Sequence, residues 1–168
     1  MAVDFNISAC KTATRVDTFG ICDDPPPAES PAYLDFTDSH KWIARIHNRE
    51  RKEITFIAVD HCIPVFRPNG EKESRCDGML QFDSTIAFIE LKDRNSKGWL
   101  GDAIGQLQIT IDVYKQAHGL ASFTERYAIV SNKQRPIFKA AGPALAQKFE
   151  NDIGFLLRVK HVIDLQEL

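Results

Sequence analysis

Asp77 and Glu90 stand thirteen positions apart in the segment SRCDGMLQFDSTIAFIELKDR, and Lys92 follows Glu90 by two. An aspartate opening one apolar stretch and a Glu-x-Lys closing the next bring two carboxylates and an ammonium together if the stretches pair as neighbouring strands. Successive side chains of a strand alternate faces, so Phe88, Glu90 and Lys92 share one face, while Arg75, Asp77 and Met79 form the matching set upstream. The midpoint between Asp77 and Glu90 falls at Asp83-Ser84, which reads as a tight turn. A hairpin closed there sets the two acids across from each other.

Two such carboxylates supply hard oxygen ligands for Mg²⁺, with Mn²⁺ as a substitute; Mg²⁺ keeps several waters and needs few protein ligands. A bound cation lowers the pKa of its water and clamps a phosphate oxygen. Lys92 beside it can orient or deprotonate the attacking water, or stabilise charge building on phosphorus. The competing account is a plain ion pair on an exposed strand, since Glu-x-Lys is common. The apolar run Ile86-Ala87-Phe88-Ile89 before Glu90 weighs against it, because a buried ionisable group needs a partner or a task.

The elements that must position these residues are read as follows. Residues 1–37 are expected to form an irregular N-terminal arm, because Asp23-Asp24-Pro25-Pro26-Pro27 and Pro31 block helix and interior strand alike. From residue 38 the pattern turns helical: Thr37, Asp38 or Ser39 can cap, and Trp42, Ile43 and Ile46 recur at helical spacing. On that helix Ile43, Ile46, His47 and Glu50 share an inward stripe. Strands are expected within 54–66, 74–82 and 85–92, the last apolar enough to lie centrally with both faces covered. A helix follows from Trp99 to about His118, with Leu100, Ile104, Leu107, Ile111 and Tyr114 on its apolar side. A strand at 127–130, a helix at 137–150 and a final strand at 155–165 complete an α/β domain spanning 38–168 with a mixed central sheet.

The chain has 168 residues, the size of one ordinary domain, and its 43% hydrophobic and 26% charged composition is that of a soluble globular protein. No apolar run approaches the roughly 20 residues of a membrane span. The stretch MAVDFNISACKTATRVD has no continuous apolar h-region, so no signal peptide is expected and cytoplasmic residence follows as the default. Cys10, Cys22, Cys62 and Cys76 are widely spaced with no Cys-x-x-Cys pair, which argues against a zinc site and predicts reduced, mostly buried thiols. A net charge of −2 excludes a strongly basic polyanion binder but leaves room for a local patch. Lys41, Arg45, Arg49, Arg51 and Lys52 cluster near the expected first helix, and Arg94 and Lys97 follow the Glu-x-Lys. These are candidate contacts to a phosphate backbone, with a solvated mixed-charge face as the alternative.

The arrangement resembles the PD-(D/E)XK nuclease superfamily, whose restriction-endonuclease-like fold carries an Asp on one core strand and (Asp/Glu)-x-Lys on the next. Asp77, Glu90 and Lys92 match that signature, and Cys76 stands where the family often has proline. The resemblance covers about residues 38–131 and implies an αβββαβ core in the order read above. It further implies a glutamate from the preceding helix as a metal ligand, for which Glu50 fits, with Glu53 as the fallback. In exonuclease-like branches a glutamine of the following helix lies at the site; Gln106 is preferred over Gln108.

The expected activity is a Mg²⁺-dependent nuclease cleaving phosphodiesters, in DNA rather than RNA, and of endonuclease type, with defence or nucleic-acid processing as its setting by family analogy. Asp77, Glu90, Lys92 and Gln106 carry the chemistry and Arg94, Lys97, Arg45 and Arg49 the backbone contacts. The small size points to a homodimer or a partner protein for target recognition. A nuclease-fold binding subunit without catalysis, and a nuclease toxin domain with an immunity partner, are the alternatives.

Overall fold

The computed structural model describes residues 2–134 and 142–168. Among the described residues ten strands and two α-helices follow in chain order: β1 (Lys11–Thr14), β2 (Thr18–Cys22), β3 (Tyr33–Asp35), β4 (Ala44–His47), β5 (Ile54–Ala58), β6 (Gly78–Phe82), β7 (Thr85–Lys92), α1 (Trp99–His118), β8 (Glu125–Asn132), α2 (Pro143–Ile153), β9 (Leu156–Val159) and β10 (Val162–Asp164). The protein is α/β, as its alternation of apolar runs predicts. A six-stranded mixed sheet runs β1-β5-β6-β7-β8-β9, and a second sheet runs β10-β4-β2-β3. In the large sheet β1, β5, β6 and β7 are antiparallel neighbours, whereas β7, β8 and β9 are parallel.

The large sheet is covered on both faces, and the strand parity sorts its side chains between two cores. Ile57, Met79, Ile86, Phe88, Ala128 and Val130 point to one side, where Trp99, Leu107 and Ile111 of α1 and Phe149 and Ile153 of α2 meet them. Phe56, Leu80, Ala87, Ile89 and Ile129 point to the other, against Phe19, Ile21, Ala44, Ile46 and Ile163 of the smaller sheet. β7 is buried at every position but Lys92, as a central strand with two covered faces must be.

Three expectations are corrected by this architecture. Residues 38–50 form no helix. The cap signal is real but brief: Asp38 accepts from the His40 backbone N–H and opens a 3-10 turn over Ser39–Lys41. The chain then extends as β4, with Ala44 and Ile46 buried between β2 and β10. Trp42, Ile43 and Ile46 satisfy helical spacing, yet the neighbouring strands decide the outcome. Residues 1–37 are not an irregular arm, because β1 extends the large sheet beside β5 while β2 and β3 belong to the small one. The β2 position Gly20 leaves no room for a side chain, since a Cβ there would meet the Trp42 ring at 1.9 Å.

The cysteines are the third correction. Cys10 and Cys62 form a disulfide across 52 positions, and only Cys22 and Cys76 are free. The spacing carries no such signal; the pairing of β1 with β5 brings Cys10 beside the loop after β5. Disulfides persist in oxidising compartments, so the expected cytoplasmic residence finds no support in the cysteines. Among the described residues no helix is long and apolar enough to cross a membrane. Part of the expected 137–150 helix lies outside the described residues; α2 begins at Pro143. The expected final strand divides, its first half pairing with β8 and its second with β4.

Closing a loop of this length restricts the unfolded chain by up to about 4 kcal/mol in the chain-entropy account. Cys10→Ser is expected to lower unfolding free energy by roughly 2–4 kcal/mol in urea titrations without reductant. Reductant should move the wild-type midpoint to the same place and leave that of the variant fixed.

Candidate metal and phosphoryl-transfer site

β6 and β7 form the hairpin the sequence symmetry predicts. Phe82 faces Thr85 at the turn and Gly78 faces Ile89 at the far end, so the register carries Asp77 to Glu90 at the next position. Asp83 takes a left-handed φ of 48° to close the turn, a conformation aspartate tolerates better than most residues. The Asp77 carboxylate accepts the Leu91 backbone N–H at 2.6 Å, and the Asp77 carbonyl accepts from Val59 at 2.9 Å. One aspartate therefore ties β6 to both of its neighbours. Gly78 beside it lets the Phe56 ring close over the backbone, since a Cβ there would lie 2.5 Å from that ring.

Glu90 is 2% exposed and lies on the helix-facing side of the sheet. Its Oε1 takes the Lys92 ammonium at 2.5 Å, while its Oε2 is buried with no hydrogen-bond partner. Lys92 also donates to Gln106 Oε1 at 2.7 Å, and Gln106 Nε2 donates to the Arg75 carbonyl at 3.1 Å. One turn along α1, the Thr110 hydroxyl accepts the Cys76 backbone N–H at 2.7 Å. Gln106 and Thr110 thus clamp α1 to the two residues that precede Asp77. Cys76, where the resemblance leads one to expect proline, supplies the N–H for that clamp.

Electrostatics follow from burial. Asp77 is pushed up to about 7, chiefly by loss of solvent and further by Asp23 and Asp60; the Leu91 N–H and Lys92 oppose the shift. Glu90 is raised well above the ordinary carboxylate range, first by burial and then by Asp77, with Lys92 opposing. Two like charges in a dehydrated layer resist simultaneous ionisation. A single ammonium 2.5 Å from one of them does not neutralise both.

Several participants carry no sequence signal of the kind used above. Arg75 is buried and donates to Asp60 at 2.9 Å and to the Val65 carbonyl at 3.1 Å, bracing the strand entry. Asp23, in the proline-rich stretch after β2, adds its charge to that acting on Asp77. Asp60 was open to recognition: like Glu90 it closes an apolar run, here ITFIAV.

The remaining candidates are dispersed. Glu50 is exposed beyond β4, bonded to Gln166 at 2.8 Å and paired with Lys52 at 3.2 Å. Lys52 in turn pairs with Asp83, at the turn of the β6–β7 hairpin. Six residue steps along β6, about 20 Å, separate Asp83 from Asp77. Loss of the expected helix removes the stripe that aimed Glu50 inward, so Glu50 does not join the acids. The fallback Glu53 pairs with Arg15 on the surface. Arg45 of β4 lies over the Trp42 ring at 4.8 Å, and Arg49, in the turn after β4, pairs with Asp164 of β10 at 3.0 Å, both on the side of the smaller sheet and hence across the large sheet from Glu90. Arg94 and Lys97 are exposed in the loop after β7, with Arg94 paired to Asp102 at 2.5 Å. Arg94, Ser74, Gly101, Gly105 and Gln106 line an open hollow of about 450 Å³ next to the site. Gln108 points instead to the hollow between α1 and α2.

Among the described residues no group of three or more His, Cys, Asp or Glu side chains is disposed to hold a metal ion. Asp77 and Glu90 form a pair, the small protein complement that Mg²⁺ accepts while keeping water, and the Glu90 Oε2 is a buried acceptor in want of a cation or donor. No known protein family, no curated protein and no solved structure matches the chain.

A carboxyl raised in the folded state binds its proton over a range where the unfolded chain has lost it. Without metal, the Asp77 contribution to stability therefore falls as pH rises from about 4 to about 7 and levels off above. Urea midpoints in EDTA should be higher at about pH 5.5 than at about pH 7.5. Asp77→Asn keeps an acceptor for Leu91, so it should stabilise the metal-free protein by about 1–3 kcal/mol at the higher pH and flatten the profile.

Proposed function

We propose that this protein is a Mg²⁺-dependent nuclease of the PD-(D/E)XK type that hydrolyses phosphodiesters in DNA. The observation that carries the reading is the convergence of Asp77, Glu90, Lys92 and Gln106 on the helix-facing side of one hairpin, with one Glu90 oxygen buried and unpartnered. Such an orphaned acceptor is destabilising by about 1–3 kcal/mol unless something satisfies it. A structural ion pair would consume both carboxylate oxygens or leave the spare one in water. Here the spare oxygen is turned into the protein beside a second acid.

Asp77 and Glu90 would hold the cation, which supplies Lewis-acid activation of water and neutralises a phosphate oxygen. Burial keeps both carboxyls high in pKa while no cation is present, so ion binding displaces protons and strengthens with pH. Lys92 has three N–H donors and spends two on Glu90 and Gln106. Its third is available to the attacking water or to a non-bridging phosphate oxygen. Gln106 fixes the ammonium rotamer and is itself anchored to the Arg75 carbonyl, so it acts as a positioning residue.

The neighbouring hollow brings Arg94, held by Asp102 on the same wall, and the exposed Lys97 of the adjoining loop close to the centre. The restriction-endonuclease-like core fits the strands β5, β6 and β7, helix α1 and strand β8 in that order. It departs from that core where β4 and the small sheet replace the first helix.

Cleavage of DNA with Mg²⁺ or Mn²⁺ tests the proposal. Asp77→Ala, Glu90→Ala and Lys92→Ala should each lower the rate by about 10²–10⁴-fold. Gln106→Ala should lower it by about 10- to 100-fold, the range for groups that orient a ligand or base. Equal cleavage by the Glu90 and Lys92 variants would remove these residues from the mechanism, and absence of metal-dependent cleavage in the wild type would remove the activity.

A further inference from the structure

A second hollow, of about 340 Å³, lies on the other side of the strand entry that leads to Asp77, with Glu29, His61, Pro64, Phe66, Lys72 and Arg75 among its walls. Its outer wall is a short hairpin. Phe66 and Lys72 pair across it in an antiparallel bridge, and the Arg67, Gly70 and Glu73 backbone N–H groups close it onto Glu71, Arg67 and Val65. Directly opposed residues of an antiparallel pair present side chains to the same face. Val65 is buried in the core, so its neighbour Phe66 turns outward and is 59% exposed.

Among the described residues neither this aromatic ring nor the adjacent ammonium is taken up by a core cluster or an ion pair. Phe66 belongs to neither hydrophobic core. Arg67 on the same hairpin is engaged by Glu71 and Glu73, whereas Lys72 has no ion pair among the described residues. Arg75, at the base, already donates to Asp60 and to the Val65 carbonyl. Glu29 also lines the hollow but makes no ion pair with Lys72, and Asp60 holds both Arg75 and His61, so Lys72 is the basic group left unpaired there among the described residues. A flat apolar surface held beside an uncompensated cation matches a ligand with an aromatic plane and an anion, which is the chemistry of a nucleotide. The volume lies at the lower end of small-ligand sites and suits one nucleotide rather than a length of duplex.

We propose that this hollow is a base-stacking subsite that takes one unpaired nucleotide of the substrate strand, its base on Phe66 and its phosphate on Lys72. The inference rests on the nuclease reading for its link to catalysis. Arg75 lines the hollow and precedes Asp77 by two residues, so their Cα atoms are at most about 7 Å apart. A strand with one base in the hollow therefore places a nearby phosphate at the Asp77–Glu90 pair. The preferred substrate is single-stranded or frayed nucleic acid, because a base inside a duplex cannot reach Phe66.

The test is binding without turnover, with Ca²⁺ replacing Mg²⁺ and fluorescence anisotropy of a short labelled strand as DNA, the same strand as RNA, and the blunt DNA duplex. Phe66→Ala should weaken single-strand binding by about 5- to 100-fold, the range for loss of one stacked base, and leave duplex binding unchanged. Phe66→Trp should restore it, which a merely misfolded variant would not explain. Lys72→Ala should flatten the salt dependence by about 0.7 in log–log slope, the share of one single-strand phosphate contact. The DNA and RNA arms show which sugar the subsite accepts, and dependence on Phe66 in either supports it. No single-strand binding by the wild type, or binding indifferent to Phe66→Ala, overturns the proposal. A Phe66-dependent strand binder that never cleaves would keep the subsite and drop the nuclease. Metal-dependent cleavage lost on Glu90→Gln, with strand binding unmoved by Phe66→Ala, would do the reverse.

Discussion

The register between β6 and β7 is the constraint on which the rest of the structure depends. It places Asp77 across from Glu90 in a layer that water scarcely enters. A slip of one residue in a strand exchanges its two faces, which would send Glu90 into the apolar layer shared with the smaller sheet and bring Ile89 or Leu91 to the helix side. Two cores fix the register from opposite directions. Phe88 must reach Tyr114 and Phe155, whereas Ala87 and Ile89 must meet the residues of the smaller sheet. The acids stay together because the apolar residues around them cannot be rearranged.

Burial explains why these acids have raised affinities for protons and why neighbouring groups matter. Lys92 compensates one charge, Gln106 holds Lys92, and Thr110 holds the chain before Asp77. The last two of these interactions come from one turn of α1. The helix is therefore both the apolar cover of the sheet and the source of the polar contacts at its edge. Its side chains alternate between these duties: Leu107 and Ile111 enter the core, and Gln106 and Thr110 serve the site.

The hairpin and α1 were legible in the sequence for physical reasons that can be named. Ile86–Ile89 is an unbroken apolar run in a strand whose partner is fixed by a two-residue turn, and α1 runs between Gly98 and Gly119, both in left-handed φ, with apolar spacing sustained throughout. Gln106 is singled out only by the resemblance, which implies a glutamine from the helix after the motif. The segment from 38 to 50 reads as helix in the sequence because β4 is only four residues long, too short for alternation to outweigh a cap residue followed by helical spacing. β1, β2 and β10 are likewise short and owe their existence to partners far along the chain. The same distance hides the Cys10–Cys62 bond and the influence of Asp23, neither of which any local pattern encodes. Glu50 fell with the helix that was to carry it.

Asp77, Glu90 and Lys92 lie within one hairpin, while the groups that seal them from solvent arrive from α1. Hairpins close on the microsecond scale, ahead of the packing of distant elements. A hairpin that closes first would bring the acids together while still hydrated and leave their dehydration to the docking of the helix. In that order of assembly the docking of α1 would be the step coupled to uptake of a counter-ion or of protons.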